Sequence, residues 1–247
     1  MTTSRIALVT GASRGIGAAT ALKLAEQGCD IAVNYHQNRD AALGVVDRIA
    51  DLGQRAVAVQ ADLGNMDDAE RLVGETVDRF GGLHVLVNNA GHVARATLEE
   101  LTLDDWRRMM AVTLDGAFVV SQKAAGHMKS GGWGRIVNVS SLRAMAGYGR
   151  GAHYATAKAG LLGLTKALAT ELGPHGVTVN AVSPGYTETD ITRDALQTKG
   201  DAIRAKIPVG RVAQPEEIGA LIAYLCSDKA GSINGETINA NGGIYMD

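Results

Sequence analysis

The first 28 residues contain the pattern that most restricts the fold, an apolar strand that runs into a glycine-rich turn and then into a helix. Ile6 to Val9 is a short continuous apolar run, which is typical of a parallel strand buried on both faces. The turn reads Thr10-Gly-Ala-Ser-Arg-Gly-Ile-Gly17, and Ala18 to Gln27 predicts a helix that Gly28 ends. A strand, a glycine turn and a helix in this order aim backbone N–H groups and a helix N-terminus at a phosphate.

Each glycine of this turn has a separate predicted task. Gly11 permits the tight turn, Gly15 lets a pyrophosphate approach the backbone, and Gly17 lets the helix pack closely on the sheet. The same glycines can instead serve only to connect a strand to a helix tightly, so the turn alone does not settle the matter. The flanking strand and helix favour a bound dinucleotide.

The second predicted strand, Ile31 to Tyr35, bears on which dinucleotide binds. A carboxylate at its end would bind the ribose 2′-hydroxyl of NAD and repel the 2′-phosphate of NADP. The strand ends Asn34-Tyr35-His36 without an acid, while Arg14 and Arg39 are both able to face an added phosphate. We therefore expect NADP(H), with NAD(H) still possible; the alternative is that Arg14 is a solvated surface charge.

Strands and helices alternate along the rest of the chain, with no break in composition. This alternation predicts one doubly wound α/β domain over residues 1–247, with helices on both faces of a parallel sheet. Tyr186 to Gln214 is polar and irregular in pattern, which is more typical of a functional lid than of a linker. The other predicted elements are helices at Ala41–Asp51, Met66–Phe80, Leu101–Lys129, Ala152–Leu172 and Pro215–Cys226, and strands at Ala56–Gln60, Val85–Val87, Ile136–Val139, Val177–Val182 and Thr237–Asn239.

Polar residues follow two of these strands, at the edge where ligands bind in sheets of this kind. Asp62 comes directly after the third strand and can accept a hydrogen bond from an adenine amino group; equally, it can lie at the N-terminal side of the next helix. Asn88-Asn89-Ala90-Gly91 closes the fourth strand. The two asparagines can tie neighbouring strands together beside a flat ligand, or can simply form a turn.

The segment from Ser140 to Lys158 carries the residues best suited to catalysis. Tyr154 and Lys158 stand four residues apart on a predicted helix, so they share a face. An ammonium beside a phenol favours the phenolate and lowers the pKa of the tyrosine, which can then exchange a proton with a substrate oxygen near neutral pH. Ser141 can supply a second hydrogen bond to that oxygen. Taken alone, such a pair is more often a packed tyrosine and a solvated lysine, and the rest of the sequence is what favours the catalytic interpretation.

Composition excludes several classes of protein. Hydrophobic residues make up 46% and charged residues 20% of the 247, and the formal net charge of −2 gives no electrostatic reason to expect nucleic acid or an acidic membrane surface. Met1 to Ile6 is polar and short, so we expect no signal peptide, no membrane span and a cytoplasmic location. Cys29 and Cys226 lack metal-type spacing, so we expect reduced packing residues and no metal.

Together these residues make the chain resemble the short-chain dehydrogenase/reductase family over its whole length. The matching motifs are Thr10-Gly-Ala-Ser-Arg-Gly-Ile-Gly17, Asp62, Asn88-Asn-Ala-Gly91, Ser141, Tyr154-Ala-Thr-Ala-Lys158, and Pro184-Gly185 with Thr189. The resemblance implies a seven-stranded parallel sheet and usually a tetramer. It also implies that a nicotinamide passes a hydride to a carbonyl carbon while Tyr154 protonates the oxygen.

The resemblance also assigns site residues. Ser141, Tyr154 and Lys158 are the implied catalytic residues, Lys158 in addition binds the nicotinamide ribose, and the segment from Pro184 to Thr189 holds the carboxamide. The residues expected to bind the cofactor are Gly11, Ser13, Arg14, Gly15, Ile16, Gly17, Tyr35, Asp62, Leu63, Asn89, Ala90, Gly91, Tyr154, Lys158, Pro184, Gly185, Thr187 and Thr189.

One position departs from the family pattern. Thr113 stands where the family usually has an asparagine that belongs to a proton relay, partly through its backbone carbonyl. Any residue supplies that carbonyl, so the substitution puts the geometry of the relay in doubt more than its existence. A shifted pH profile or a modest activity is the hypothesis that follows.

The substrate is the least determined part of the interpretation. Pro184-Gly-Tyr-Thr-Glu-Thr-Asp190 and the ending Asn241-Gly-Gly-Ile-Tyr-Met246 most resemble 3-oxoacyl-thioester reductases, which act on acyl groups carried by acyl-carrier protein or coenzyme A. Arg143 and Arg150 can meet an acidic carrier or can be ordinary solvated charges. The alternatives are an NAD(P)-dependent sugar or secondary-alcohol dehydrogenase and a nucleotide-binding regulatory protein of the same fold.

The helical stretch from Leu101 to Lys129 has apolar faces that are too broad for a simple surface helix. The surplus predicts a contact between subunits and hence a homo-oligomer. The apolar residues concerned are Trp106, Met109, Met110, Val112, Leu114, Phe118 and Val119.

Overall fold

Seven parallel strands form one sheet in the order β3-β2-β1-β4-β5-β6-β7. The computed structural model describes residues 4–147 and 149–246, so the first half of the Met1 to Ile6 segment lies outside the described residues. The strands are β1 (Ile6–Val9), β2 (Asp30–Tyr35), β3 (Ala56–Gln60), β4 (Val85–Asn88), β5 (Gly134–Val139), β6 (Val177–Pro184) and β7 (Thr237–Ala240). The order reverses between β1 and β4, which creates the crevice where sheets of this type bind ligands. The predicted doubly wound α/β fold is confirmed.

Helices cover both faces of this sheet. Their bounds are α1 (Gly15–Glu26), α2 (Arg39–Asp51), α3 (Met66–Phe80), α4 (Leu103–Met110), α5 (Gly116–Gly131), α6 (Arg143–Ala146), α7 (Ala152–Leu172), α8 (Asp190–Arg204) and α9 (Pro215–Leu225). The strand side chains alternate between two cores, so that Val9 of β1 packs on the α1 and α9 side while Leu8 packs on the α3 and α5 side. In the described residues no helix is long and apolar enough to cross a membrane.

A polar network is buried between the central strands and the helices behind them. The amide of Asn88 donates to Ser121 Oγ at 2.9 Å and to Asn138 Oδ1 at 2.8 Å. The Asn138 amide in turn donates to Thr165 Oγ1 at 2.9 Å. Because a buried amide is costly when it lacks partners, this chain of bonds fixes the register of β4, β5, α5 and α7 against one another. The prediction that an asparagine at the end of β4 ties strands together is confirmed.

A second cluster closes the opposite edge of the sheet, where the strands begin. The guanidinium of Arg5 lies 3.7 Å from the ring centroid of Trp133, and that of Arg135 lies 4.3 Å from it. Asp228 accepts hydrogen bonds from Arg5 at 2.8 and 2.9 Å and from Trp133 Nε1 at 3.1 Å. The cluster joins the starts of β1 and β5 to the turn after α9, through charge–aromatic contacts that stabilise by about 0.5–2 kcal/mol each.

Two predicted elements were wrong in form. The polar segment from Tyr186 to Gln214 is not irregular, because Thr189 and Thr192 form a capping box that starts α8, with a kink at Lys199. The stretch from Leu101 to Lys129 is not one regular helix. It divides into α4, a π-helical turn at Ala111–Asp115, and α5. A π-turn inserts a residue into the helical repeat and is frequent at functional sites.

The two cysteines are free and buried, as predicted. Burial raises the pKa of the Cys29 thiol to about 11 and that of Cys226 still further. Both thiols are therefore protonated at neutral pH, which suits packing residues and not nucleophiles.

Candidate active site

The predicted site residues surround two adjoining cavities at the carboxyl edge of the sheet. The central cleft is lined by Gly11, Arg14, Gly15, Ile16, Gly17, Asn89, Ala90, Gly91, Ser141, Tyr154, Lys158, Pro184, Gly185, Thr187 and Thr189, among others. The β2 pocket next to it is lined by Ser13, Tyr35, Asp62 and Leu63, and it shares Gly11, Arg14, Ala90 and Gly91 with the central cleft. The structure thus brings every predicted site residue together, while their individual roles stay predictions.

The glycine turn is held in a conformation that larger residues could not adopt. Gly11 has φ +60° and Gly15 has φ +57°, both in the left-handed region. A Cβ on Gly17 would lie 2.4 Å from the carbonyl oxygen of Gly11. Only glycine therefore allows the close packing that its place in the motif predicts. α1 begins at Gly15 with no acidic residue in its first turn, so its N-terminus presents positive potential to the central cleft.

Thr10 and Asn89 join the glycine turn to the end of β4. Thr10 Oγ1 accepts hydrogen bonds from the backbone N–H groups of Asn89 at 2.9 Å and Ala90 at 3.0 Å. The Asn89 amide donates to the carbonyls of Thr10 at 2.9 Å and Gly11 at 3.1 Å. These bonds fix the floor of the cleft between β1 and β4, at the switch point of the sheet. The contribution of Thr10 was missed, although a threonine hydroxyl directly after a strand was visible in the sequence.

The end of β2 is organised by Asn34. Its Oδ1 accepts from the Gly11 N–H at 3.0 Å, and its amide donates to carbonyls of the β3 strand and of the residue that follows it, at 3.3 Å each. Asn34 is therefore a structural residue that pins the glycine turn to β2. Arg39, which we described as able to face an added phosphate, is the first residue of α2 and is not among the described residues that line either cavity, so its role stays a prediction.

Asp62 forms an ion pair that the sequence did not indicate. Arg108 of α4 donates to both carboxylate oxygens at 2.9 Å. Partial burial opposes ionisation of Asp62, but the Gly64 N–H and the Arg108 guanidinium outweigh it and hold the pKa of this carboxyl below its usual value. Arg108 also lines the β2 pocket, so the carboxylate and the guanidinium face any ligand there together. The two residues are 46 positions apart, which is why spacing could not pair them.

Lys158 carries a strongly perturbed charge in the cleft. Its side chain is buried, and Nζ donates to the Val139 carbonyl at 2.6 Å. Burial lowers the pKa of this ammonium from 10.5 to about 8. A buried lysine of this kind is a candidate functional residue, since a structural role would not require removing its charge from water. Tyr154 stands one helical turn before it on α7 and lines the same cleft.

Ser141 lies at the end of β5, where its position is fixed from two directions. Its Oγ accepts the backbone N–H of Arg143 at 3.1 Å, and the next residue, Leu142, donates its N–H to the Pro184 carbonyl at 3.0 Å. Ser140 Oγ donates to the Lys158 carbonyl at 2.8 Å and so joins β5 to α7. The strand end and the helix that carry the three predicted catalytic residues are thereby held together.

Thr113 sits in the π-helical turn and faces the same region. It is buried, and its hydroxyl lies 3.5 Å from Met109 Sδ. A Cβ on Gly91 would lie 3.6 Å from Lys158 Nζ and 3.8 Å from Thr113 Oγ1, so both groups flank Gly91. The residue that departs from the family pattern therefore adjoins the candidate proton-transfer group. The π-turn that places it there was not predicted.

Arg14 contacts the start of α8. Its guanidinium lies 3.6 Å from the Asp190 carboxylate, at the first residue of that helix. Arg14 is therefore largely exposed to solvent but has an ion-pair partner. It joins the glycine turn to the helix that follows the Pro184 to Thr189 segment, and it lines both cavities.

The fold and this cleft define the chain as a member of the short-chain dehydrogenase/reductase family, an NAD(P)-dependent oxidoreductase. Residues 11–245 match the family model described as enoyl-(acyl carrier protein) reductase. The resemblance found in the sequence is confirmed.

Individual relatives cover the chain almost completely. A 3-oxoacyl-(acyl-carrier-protein) reductase of Synechocystis sp. is 43% identical over 245 residues, which are 99% of this chain and 98% of the relative. A short-chain dehydrogenase from Burkholderia cenocepacia, solved in complex with NADP, has a TM-score of 0.91 and 40% identity, with 98% of each chain covered. The acetoin dehydrogenase from Enterobacter cloacae has a TM-score of 0.92 and 36% identity, covering 99% of this chain and 96% of its own.

Proposed function

We propose that the chain is an NADP(H)-dependent 3-oxoacyl-thioester reductase, which reduces a carbonyl to an alcohol as a single unit over residues 1–247. The observation that carries the proposal is that Ser141, Tyr154 and Lys158 line the same cleft as the glycine turn. The 3-oxoacyl reductase from Synechocystis sp., similar along its whole length, supports the choice of substrate.

The residues of the cleft fit a nicotinamide dinucleotide. Gly11 and Gly15 leave the backbone bare beside the N-terminus of α1, which suits a pyrophosphate. Gly91 leaves open the space in front of Lys158 Nζ, which a Cβ would reach at 3.6 Å. Pro184 to Thr189 would hold the carboxamide at the far end. The bound cofactor would supply the hydride that reduces the carbonyl carbon.

The side chains of the cleft would then donate the proton to the substrate oxygen and stabilise the negative charge that forms on Tyr154. Tyr154 would donate its phenolic proton to the carbonyl oxygen, which Ser141 would orient with a second hydrogen bond. Lys158 would stabilise the phenolate that Tyr154 becomes, because a buried ammonium interacts more strongly than a solvated one. With a pKa of about 8, Lys158 remains mostly protonated at pH 7 and can perform this role.

The preference for NADP(H) rests on the charges around the glycine turn and β2. β2 ends Asn34-Tyr35-His36 without a carboxylate, and Arg14 lines the β2 pocket, where the ribose would lie. A 2′-phosphate beside the end of β2 would therefore meet the Arg14 guanidinium and no carboxylate from β2, while the one carboxylate among the described residues of this pocket, Asp62, is paired with Arg108. The Burkholderia cenocepacia relative was solved with NADP, which supports this preference.

The proposal is tested by following NADPH absorbance with acetoacetyl-CoA and repeating the assay with NADH. We expect reduction of the thioester and a kcat/KM for NADPH at least tenfold above that for NADH, as two charge-assisted hydrogen bonds would give. A higher kcat/KM with NADH would refute the cofactor assignment. Failure to reduce any thioester would refute the substrate assignment.

The second candidate is an NAD(P)-dependent secondary-alcohol or sugar dehydrogenase, favoured by the likeness to the acetoin dehydrogenase from Enterobacter cloacae. A panel with acetoin, simple ketones and polyols in the same assay separates it from the thioester reductase. Tight NADPH binding without turnover of any substrate would instead indicate a nucleotide-binding regulatory protein.

We also propose a cytoplasmic homotetramer that accepts carrier-bound substrates. Part of the apolar surplus around α4 and α5 is used internally, since Met109 is buried. Leu103 nevertheless remains 60% exposed and Phe118 45% exposed, which supports a contact with another subunit. Light scattering on the eluting protein would give about four times the 25.7 kDa chain mass, and a monomer mass would refute this.

A further inference from the structure

A third cavity, here called the mouth, opens from the catalytic residues towards solvent. Ser141, Tyr154, Gly91 and Pro184 line it as well as the central cleft, so the two are continuous. Any part of a substrate that projects from Tyr154 towards solvent on this side therefore lies in the mouth. The side chains of the mouth then act on the part of the substrate that does not react.

The mouth is rich in positive charge. Arg14, Arg95, Arg143 and Lys199 line it, and Asp194 is the one carboxylate among the described residues of its lining. A cavity lined mainly by one sign of charge concentrates ligands of the opposite sign. A neutral acyl chain or a neutral ketone would gain nothing from this arrangement. The charge of the mouth therefore indicates an anionic group on the substrate.

Arg143 is the member of this set whose backbone is attached to the catalytic residues. Its N–H donates to Ser141 Oγ at 3.1 Å. Two residues of chain span at most about 7 Å, so the base of the arginine side chain lies beside the reacting centre. The other cations approach from different elements: Lys199 from α8 and Arg95 from the loop after β4.

Tyr186 holds the Arg143 side chain in place. The Arg143 guanidinium donates to the Tyr186 hydroxyl at 2.8 Å and lies 5.5 Å from the centroid of its ring. Tyr186 is itself anchored, because it packs against Ile203 and Ile207 and its carbonyl accepts the Ala213 N–H at 2.9 Å. A phenol is neutral, so the bond orients the guanidinium without cancelling its charge. An arginine oriented in this way is suited to a carboxylate or phosphate.

We propose that the mouth binds an anionic group of the substrate and that Arg143, positioned by Tyr186, is the residue that binds it. The anion is a phosphate of a pantetheine-type carrier or the carboxylate of an oxo acid, which share the same bidentate chemistry. The proposal rests on the proposed carbonyl-reductase function and adds a specificity-determining residue to it.

The test compares substrates that differ by one charge. Acetoacetyl-phosphopantetheine and acetoacetyl-pantetheine differ by a phosphate, and acetoacetate and its ethyl ester differ by a carboxylate. For R143Q we expect kcat/KM to fall about 10- to 100-fold with the anionic member of the pair that the enzyme uses, and less than threefold with the neutral member. The pair that responds identifies the source of the anion.

Two further variants keep the test specific. R150Q removes a neighbouring charge that pairs with Glu100 at 3.2 Å and is not among the described residues lining the mouth, so it should leave both members of each pair unchanged. Y186F keeps the ring and removes the hydroxyl that orients Arg143, so it should lower kcat/KM for the anionic member by a smaller factor than R143Q.

Equal losses on both members of each pair, or no loss on either, would overturn the assignment of Arg143. That result is distinct from failure of the thioester function. If wild type reduced the oxo acid and its ester but neither thioester, the thioester function would fall, and a selective effect of R143Q on the acid would still uphold the role of Arg143.

Discussion

Replacing Lys158 with methionine should abolish catalysis without lowering stability at neutral pH. Burial brings the pKa of Lys158 from 10.5 to about 8, which corresponds to roughly 3 kcal/mol of unfavourable free energy for the charged side chain in the folded protein at pH 7. Methionine removes this cost at similar length. It also removes the partner of the Val139 carbonyl, which costs about 1–3 kcal/mol. K158M should therefore be as stable as wild type or up to about 2 kcal/mol more stable at pH 7.

The pH dependence separates this reasoning from a simple packing effect. Because the pKa of Lys158 is lowered in the folded state, the charged side chain destabilises the folded protein fully below about pH 8. This destabilisation decreases as the pH rises and is absent above the unfolded value of 10.5. Wild type should thus gain roughly 2 kcal/mol relative to K158M between pH 7 and pH 9.5. The measurement is urea unfolding of the protein without added cofactor at both pH values.

Lys166 provides the matched control, since it is an exposed lysine on the same helix. The difference between K166M and wild type should not change with pH. If the difference between K158M and wild type were also constant from pH 7 to pH 9.5, burial would not be perturbing Lys158. Turnover of K158M should fall at least 100-fold, which is the lower end of the contribution of a positioned proton-transfer system.

Three other predictions concern single groups of the cleft. Y154F should abolish turnover while NADPH affinity, measured by fluorescence titration, stays largely unchanged; normal turnover would show that Tyr154 is not the proton donor. T113N should shift the pH–rate profile of reduction, because Thr113 and Lys158 both flank Gly91; an unchanged profile would exclude a role for this side chain. R14A should raise KM for NADPH about tenfold or more and leave KM for NADH within threefold; an equal rise for both would indicate that Arg14 acts only through Asp190.

The fold was predictable because its local signals agree with one another. Each local pattern favours one structure, as the apolar run at β1, the glycine turn and the amphipathic α3 show. In parallel sheets of this type the ligand binds at the carboxyl ends of the strands, so the position of the site follows from the fold. α8 was missed because its start depends on a Thr189–Thr192 capping box and not on a strong apolar stripe. The π-helical turn that contains Thr113 is only five residues long, which is too short for a hydrophobic periodicity to reveal it in the sequence.

The site was predictable where its residues are close in sequence, and less so where they come from distant elements. Tyr154 and Lys158 are one turn apart, so their shared face follows from helix geometry. The ion pair of Arg108 with Asp62 and the hydrogen bond from Arg143 to Tyr186 join residues 46 and 43 positions apart. Such pairs are set by how helices and loops converge over the sheet, and composition carries no record of that convergence.

The aromatic cluster at the beginning of the strands has a practical consequence for engineering. Trp133 with its two arginines lies a full strand length, about 20 Å for the six residues of β5, from the edge that holds Tyr154. Substitutions in this cluster that change the thermal stability of the protein should therefore leave turnover unchanged. An affinity tag placed on this side of the sheet would likewise leave the entrance for substrate clear.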